Sequence, residues 1–278
     1  MLARWGRKVM QPNASSFYLL RLRSSTYSSS SALQEAANLN STDSDSQHPC
    51  KLVFSSKPRE LSIDPRSKLG HHEPEFGGLS RFGLRILGYY NKKSVTMRRT
   101  RTLYSRITNI VESPSLYATF GLERSFHSTY AMLVLHMWLC LARTKGEKPD
   151  GHEFGEALYI LFTEDLEKRV VTAGVRMLFS KWMRELEKMF YGAVKVYDEA
   201  LKLDAPKDAL VRALWRNVYA DNDAPMPTGE EAIFVQSLAK YVRRETACLA
   251  LTDKESIFSG NILFSTDESW ELEKNLKS

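Results

Sequence analysis

Apolar residues recur along the C-terminal two thirds of the chain at steps of three and four, the spacing that gathers them on one face of an α-helix. The longest such series is Leu178, Trp182, Leu186, Met189, Ala193, Tyr197 and Ala200, and it predicts one long amphipathic helix. Leu210, Val211, Leu214, Trp215 and Val218 predict another over Lys207 to Ala220, set off by Asp204 and Pro206. A third carries Phe154, Leu158, Leu161 and Phe162. Asp150 with Glu153, and Thr228 with Glu231, have the spacing of capping boxes, the second opening a helix to Leu251. Ser113-Pro114 is a further start signal, a hydroxyl followed by a proline whose missing N–H is no loss at the first helical position. Only Ile257 to Phe264 hints at the alternation of a strand. The expected fold is therefore all-α, a single multi-helix domain of about six or seven helices over residues 113–251, with a weakly structured tail at 252–278.

One run departs from the one-faced pattern. Phe126 to Ala142, reading FHSTYAMLVLHMWLCLA, is uncharged, and its apolar residues go almost all the way round a helix. Such an element is surrounded by protein or by lipid. Spanning a bilayer takes about 20 mostly apolar residues. This run is shorter and is interrupted by His127, Ser128, Thr129 and His136, so the core of a helical domain is the better fit and the membrane span the alternative.

Charge redraws the N-terminal part. The net charge is +6 over 278 residues, but it is unevenly spread. Residues 1–34 hold Arg4, Arg7, Lys8, Arg21 and Arg23 with no acid, and many serines. That is the composition of a mitochondrial transit peptide, because Asp or Glu would oppose uptake by a potential negative inside; a disordered basic tail is the bland alternative. Residues 35–78 are polar, contain Pro49, Pro58, Pro65 and Pro74, and read as a largely disordered linker. Residues 79–112 form a basic amphipathic arm, free of acid up to residue 111, with Phe82, Ile86, Tyr89 and Tyr90 at helical spacing among Arg81, Arg85, Lys92 and Lys93. Arg98, Arg99, Arg101 and Arg106 continue the charge beside Leu103, Tyr104 and Ile107. Bases interleaved with aromatics suit RNA phosphates and exposed bases, or the headgroups of an anionic membrane; the plain alternative is a solvated helix face. What remains, residues 112–278, is an acidic body.

The search for chemistry returns little. Cys50, Cys140 and Cys248 are too few and too far apart for a disulfide framework or a thiolate zinc site. His127 and His136 lie half a helical turn out of phase and cannot share an ion, and His136 alone reads as a hydrogen-bonded core residue rather than a ligand. His152 begins an HEFGE sequence that lacks the second histidine of a zinc protease, so His152 and Glu156 read as an exposed pair one turn apart. No phosphate loop, nucleophile elbow or dinucleotide fingerprint is present. No catalytic residue, metal site or cofactor is expected. Gly192 interrupts a good helix at a cost of about 1 kcal/mol, through tolerance or through the close approach of another backbone. On the helix from Lys207, Asn217 sits at the border of the apolar stripe and is expected to bond within the body; Arg216 points away from it, toward a partner or solvent.

Three stretches resemble one family. Leu135-His136-Met137-Trp138-Leu139, then Phe190-Tyr191-Gly192 with Tyr197-Asp198-Glu199-Ala200-Leu201, then Ala213-Leu214-Trp215-Arg216-Asn217-Val218-Tyr219 are similar to motifs of the ubiquinol-cytochrome c chaperones, assembly factors of mitochondrial respiratory complex III. The resemblance covers residues 115–250. It implies a non-enzymatic chaperone on the matrix side of the inner membrane, acting with a small helical partner on nascent cytochrome b, in some lineages at the mitochondrial ribosome. It implies no small-molecule substrate. Structural or partner-facing roles would fall to His136, Trp138, Tyr191, Gly192, Tyr197, Asp198, Arg216 and Asn217. The resemblance says nothing about residues 1–110, and ribosome or membrane contact is expected at Arg98, Arg99, Arg101 and Arg106 from the charge of the basic arm. A different class, an organellar RNA-binding or ribosome-associated factor working through the basic arm, is the alternative.

Overall fold

The computed structural model describes residues 54, 56–71, 74, 76–219 and 225–265. The expected transit peptide, most of the expected linker and the charged end after residue 265 lie outside the described residues. Among the described residues nine α-helices follow one another: α1 Gly78–Ile86, α2 Lys92–Glu112, α3 Pro114–Thr119, α4 Phe126–Thr144, α5 Asp150–Thr172, α6 Phe179–Ala200, α7 Ala209–Leu214, α8 Glu230–Leu251 and α9 Lys254–Ser259. The fold is all-α, with no strand among the described residues. Six of them, α3 to α8, lie within residues 113–251, in line with the expected six or seven, and α1, α2 and α9 lie outside that range; α3, α7 and α9 have six residues each. α7 widens into a π-turn at Trp215–Tyr219.

The uncharged run is α4, and protein surrounds it. α4 packs against α2, α5, α6, α8 and the π-turn, and every residue from Tyr130 to Cys140 is buried. Each large apolar side chain so enclosed contributes about 1.5–3 kcal/mol. No described helix is long and apolar enough to cross a membrane. α4 is opened by a reciprocal cap: the Ser125 hydroxyl accepts from the Ser128 amide and the Ser128 hydroxyl accepts from the Ser125 amide. Ser128 here takes the place usually held by Glu or Gln.

The two capping boxes expected from spacing do not form. Pro149 occupies the cap position of α5, so Asp150 is already helical. Its carboxylate and that of Glu153 instead accept from Lys92 at 3.2 and 3.0 Å. Gly229, not Thr228, caps α8. Leu178 also leaves its expected place on the α6 stripe; it precedes the helix in the left-handed region, at φ 59°, and is exposed. The α4–α5 turn is tight enough to require glycine, since a Cβ on Gly151 would lie 1.9 Å from the Thr144 carbonyl oxygen. Gly192 is the reverse case. A Cβ there would meet nothing within 4 Å among the described residues, so no described backbone approaches it.

Three further boundaries shift. α2 is a body helix rather than an arm, because Leu103, Tyr104, Ile107, Ile110 and Val111 are buried and it lies along α5, α4 and α9. Residues 54 and 56–71 are a strap rather than a linker. Phe54 stacks on Phe120 and meets Tyr241 edge-on at 5.2 Å; Leu61 is buried, its amide donating to Thr252 Oγ1 at 3.0 Å. The tail up to residue 265 is likewise packed: Ile257, Phe258, Ile262 and Phe264 are buried. Ser62 and Ile262 form an antiparallel bridge, and the Asn261 amide brackets the backbone of His71.

Candidate functional site

The residues that carry the family resemblance fall into a buried polar spine and an exposed edge. His136 is fully buried on α4. Its Nδ1 lies 2.8 Å from the Met132 carbonyl and its Nε2 2.8 Å from the Tyr241 hydroxyl. A carbonyl only accepts, so Nδ1 carries the proton and Nε2 accepts from Tyr241. Burial lowers the imidazole pKa from 6.5 to about 4, so the ring is neutral and bridges α4 to α8. Phe264 meets it edge-on at 5.1 Å, closing the last side.

Trp138 and Asp198 join α4 to α6. The indole Nε1 donates to Asp198 Oδ1 at 2.8 Å, and Lys145 Nζ lies 3.5 Å from Oδ2. Tyr197 is buried and packs on Trp138 at 5.1 Å between ring centroids. Asn217 Nδ2 donates to the Ala213 carbonyl at 2.7 Å within the body, while Arg216 is exposed. Tyr191 is partly exposed against Tyr159 and Phe190, and Gly192 beside it is exposed and open. His152 and Glu156 form the expected exposed pair, 3.5 Å apart.

A second buried polar knot was not legible in the sequence. Arg244 and Glu245 are adjacent on α8 and both buried. Glu245 accepts from Arg244 Nη1 at 3.2 Å and from the Ser265 amide at 3.3 Å, and Arg244 Nη1 also donates to the Ser265 hydroxyl. Burial raises the Glu245 carboxyl pKa, opposed by Ser265 and Arg244. Two neighbouring charges on a helix look like surface residues, and only the returning tail reveals them as an anchor. The thiols of Cys140 and Cys248 are buried and held protonated, that of Cys248 pushed up to about 11. Among the described residues no group of three His, Cys, Asp or Glu side chains could hold a metal ion.

The structure separates the arginines that spacing grouped together. Arg98 Nη1 donates to the Tyr89 carbonyl at 2.8 Å, and its guanidinium lies 3.8 Å above the Tyr89 ring. Arg99 pairs with Glu255 at 3.1 Å. Arg106 holds the strap, donating to the carbonyls of Leu69 and Gly260. Of the four, Arg101 is the exposed one.

Exposed apolar side chains form the rest of the surface chemistry. Val171, Met177 and Leu178 lie at the corner between α5 and α6; Tyr191 and Val196 lie on α6 and Leu203 just past its end. An open cleft of about 350 Å³ lies between α4 and α5, floored by Tyr130, Leu133 and Leu166 with Arg124 and Arg169 at its rim.

A rigid all-α body with its titratable spine sealed inside and its apolar residues partly turned outward is a helical binding scaffold. Residues 118–264 match the family described as Ubiquinol-cytochrome C chaperone, and the chain belongs to that family. It is 27% identical to the ubiquinol-cytochrome-c reductase complex assembly factor 1 of Xenopus laevis over 170 residues, 60% of this chain and 80% of that one. The Homo sapiens counterpart is 25% identical over 192 residues, 68% of this chain but 60% of its own. The one from Drosophila melanogaster is 25% identical over 210 residues, 73% of this chain and 77% of its own. Among solved structures, the Cbp3 homolog from Brucella abortus is 28% identical with a TM-score of 0.54, covering 65% of this chain and 97% of the bacterial one.

Proposed function

We propose that this chain is a non-enzymatic chaperone in the assembly of respiratory complex III, binding newly made cytochrome b together with a small helical partner at the matrix face of the mitochondrial inner membrane. The observation that carries the reading is the family match over residues 118–264, which takes in α4 to α9 of the packed helical body and contains all three resembling stretches. The relatives from frog, human and fly are named as assembly factors of the ubiquinol-cytochrome c reductase complex.

Physical chemistry supports the same reading. A newly made transmembrane client offers apolar helices that need cover, and apolar side chains held on a rigid frame can give it. The corner of Val171, Met177 and Leu178 and the edge of Tyr191, Val196 and Leu203 have that character. Tyr191, Gly192, Glu199 and Arg216 are the exposed members of the resembling stretches, and the small partner is assigned to Tyr191, Gly192 and Arg216. His136, Trp138, Tyr197, Asp198 and Asn217 act one layer down, fixing α4, α6, α8 and the π-turn. The RNA-binding alternative loses ground, because Arg98, Arg99 and Arg106 are engaged by groups of this chain. The test is removal of the protein from mitochondria. Loss of assembled complex III with cytochrome b still synthesised but short-lived is expected; normal complex III would overturn the reading.

A further inference from the structure

Four large apolar residues of α1 and its exit are exposed among the described residues. Phe82 is 66% exposed, Ile86 72% and Leu87 82%, and Tyr90 is exposed beside them. A soluble surface scatters such residues; four within one short segment mark a contact surface. Phe82 and Ile86 stand one helical turn apart on the same face. Leu84, on the opposite side of the helix, is half-buried. α1 is therefore amphipathic with its more apolar face outward.

Charge identifies the occupant. No acid occurs between residues 76 and 111. Arg85 is exposed and lies next to the Phe82 ridge on the helix, and Lys93 is exposed just beyond; Lys92 is already paired with Asp150 and Glu153. An aliphatic ridge bordered by bases suits a surface with hydrocarbon below and negative charge above. RNA would meet the bases but gain nothing from Ile86 and Leu87, since stacking needs aromatic faces.

The mounting of α1 fits the same use. Phe76, just before the helix, meets Tyr89, just after it, edge-on at 5.5 Å. Arg98 of α2 lies over that Tyr89 ring and holds its carbonyl. One cluster thus fixes both ends of a helix about 13 Å long at 1.5 Å per residue, which projects without a broad contact to any other described helix.

We propose that α1 is a preformed membrane anchor, lying in the headgroup layer of an anionic bilayer with Phe82, Ile86 and Leu87 in the acyl region and Arg85 among the phosphates, and with Arg98 as the positioning residue that holds it. The proposal rests on the chaperone reading only for the choice of a mitochondrial lipid. It places the contact on α1 rather than on the α2 arginines.

Hydrogen exchange of the purified full chain, alone and with phosphatidylcholine–cardiolipin or phosphatidylcholine vesicles, tests it by position. Amides of residues 78–90 should be protected by the cardiolipin vesicles and not by the neutral ones. The triple variant F82S/I86S/L87S should lose that protection and bind at least about tenfold more weakly, while keeping wild-type melting because these side chains lie outside the core. Arg98→Ala should give partial protection only. Vesicle binding without protection of 78–90 would assign the attraction to the N-terminal bases and overturn the proposal. Equal protection by an RNA oligonucleotide, by an added protein partner, or in the absence of any vesicle would overturn it as well.

Discussion

Burial sets the behaviour of His136. The folded chain takes up a proton there only near pH 4, the unfolded chain near 6.5. Its contribution is therefore complete above pH 6.5 and is lost as the pH falls toward 4, by roughly 3 kcal/mol over the whole window. Urea unfolding of wild type should show this loss between about pH 7 and about pH 5. His136→Leu should be less stable by about 1–3 kcal/mol at neutral pH, through the unpartnered Tyr241 hydroxyl, yet flatter across the same window. Equal pH slopes in the two proteins would refute the assignment. Trp138 and Asp198 give a second contrast. Asp198→Ala should cost about 1–3 kcal/mol by stranding the buried indole N–H, and Asp198→Asn, which keeps an acceptor, should recover most of it. His136 was legible in advance because an isolated histidine in an apolar run has few other uses. The glycines were not. Gly192 drew attention by interrupting a periodic helix but sits in the open, whereas Gly151 is required by a chain reversal that leaves no periodic mark.

At the level of elements, periodicity located the long helices and failed at their ends. A capping box depends on which residue leaves helical geometry, and a four-residue spacing does not say. Leu178 shows the cost of that failure, since an apolar residue in step with α6 proved to be its left-handed cap. Holding leucine there costs about 1–2 kcal/mol, a strain that persists beside the exposed corner of Val171 and Met177. Leu178→Asn should therefore raise the thermal midpoint and lower capture of the client, two readouts that a merely structural role would not separate. Thermal unfolding and client capture measured on one preparation would check it. The basic segment divides in the same way. Its first half is the outward helix α1, and its second half is α2, whose arginines hold Tyr89, Glu255 and the strap. Charge reversal at Arg98 would thus loosen the body itself, and Arg101 is the position at which reversal probes the surface alone.

Across the whole molecule, the fold class and the central place of α4 followed from pattern, and the closure of the body did not. Phe54 and Leu61 are single apolar residues in a polar, proline-rich segment, with no period to reveal that they insert. Ser265 reaches Arg244 and Glu245 only after the chain has returned along the strap. The body therefore depends on residues 54, 56–71 and 254–265, and a chain trimmed to the family-matched residues 118–264 would lose α2 and the strap together. Such a fragment should melt well below the full chain, as circular dichroism would show; equal stability would mean that α2 and the strap are ornaments. The resembling motifs point inward more than outward, which is why they identify the family without locating its contact surface. The central claim is that this helical body receives newly made cytochrome b. Mitochondria translating their own genes with a labelled amino acid, followed by capture of the tagged full chain, measure that directly. The account predicts labelled cytochrome b, with a small helical partner, in the captured fraction, and the absence of cytochrome b from it would contradict the account.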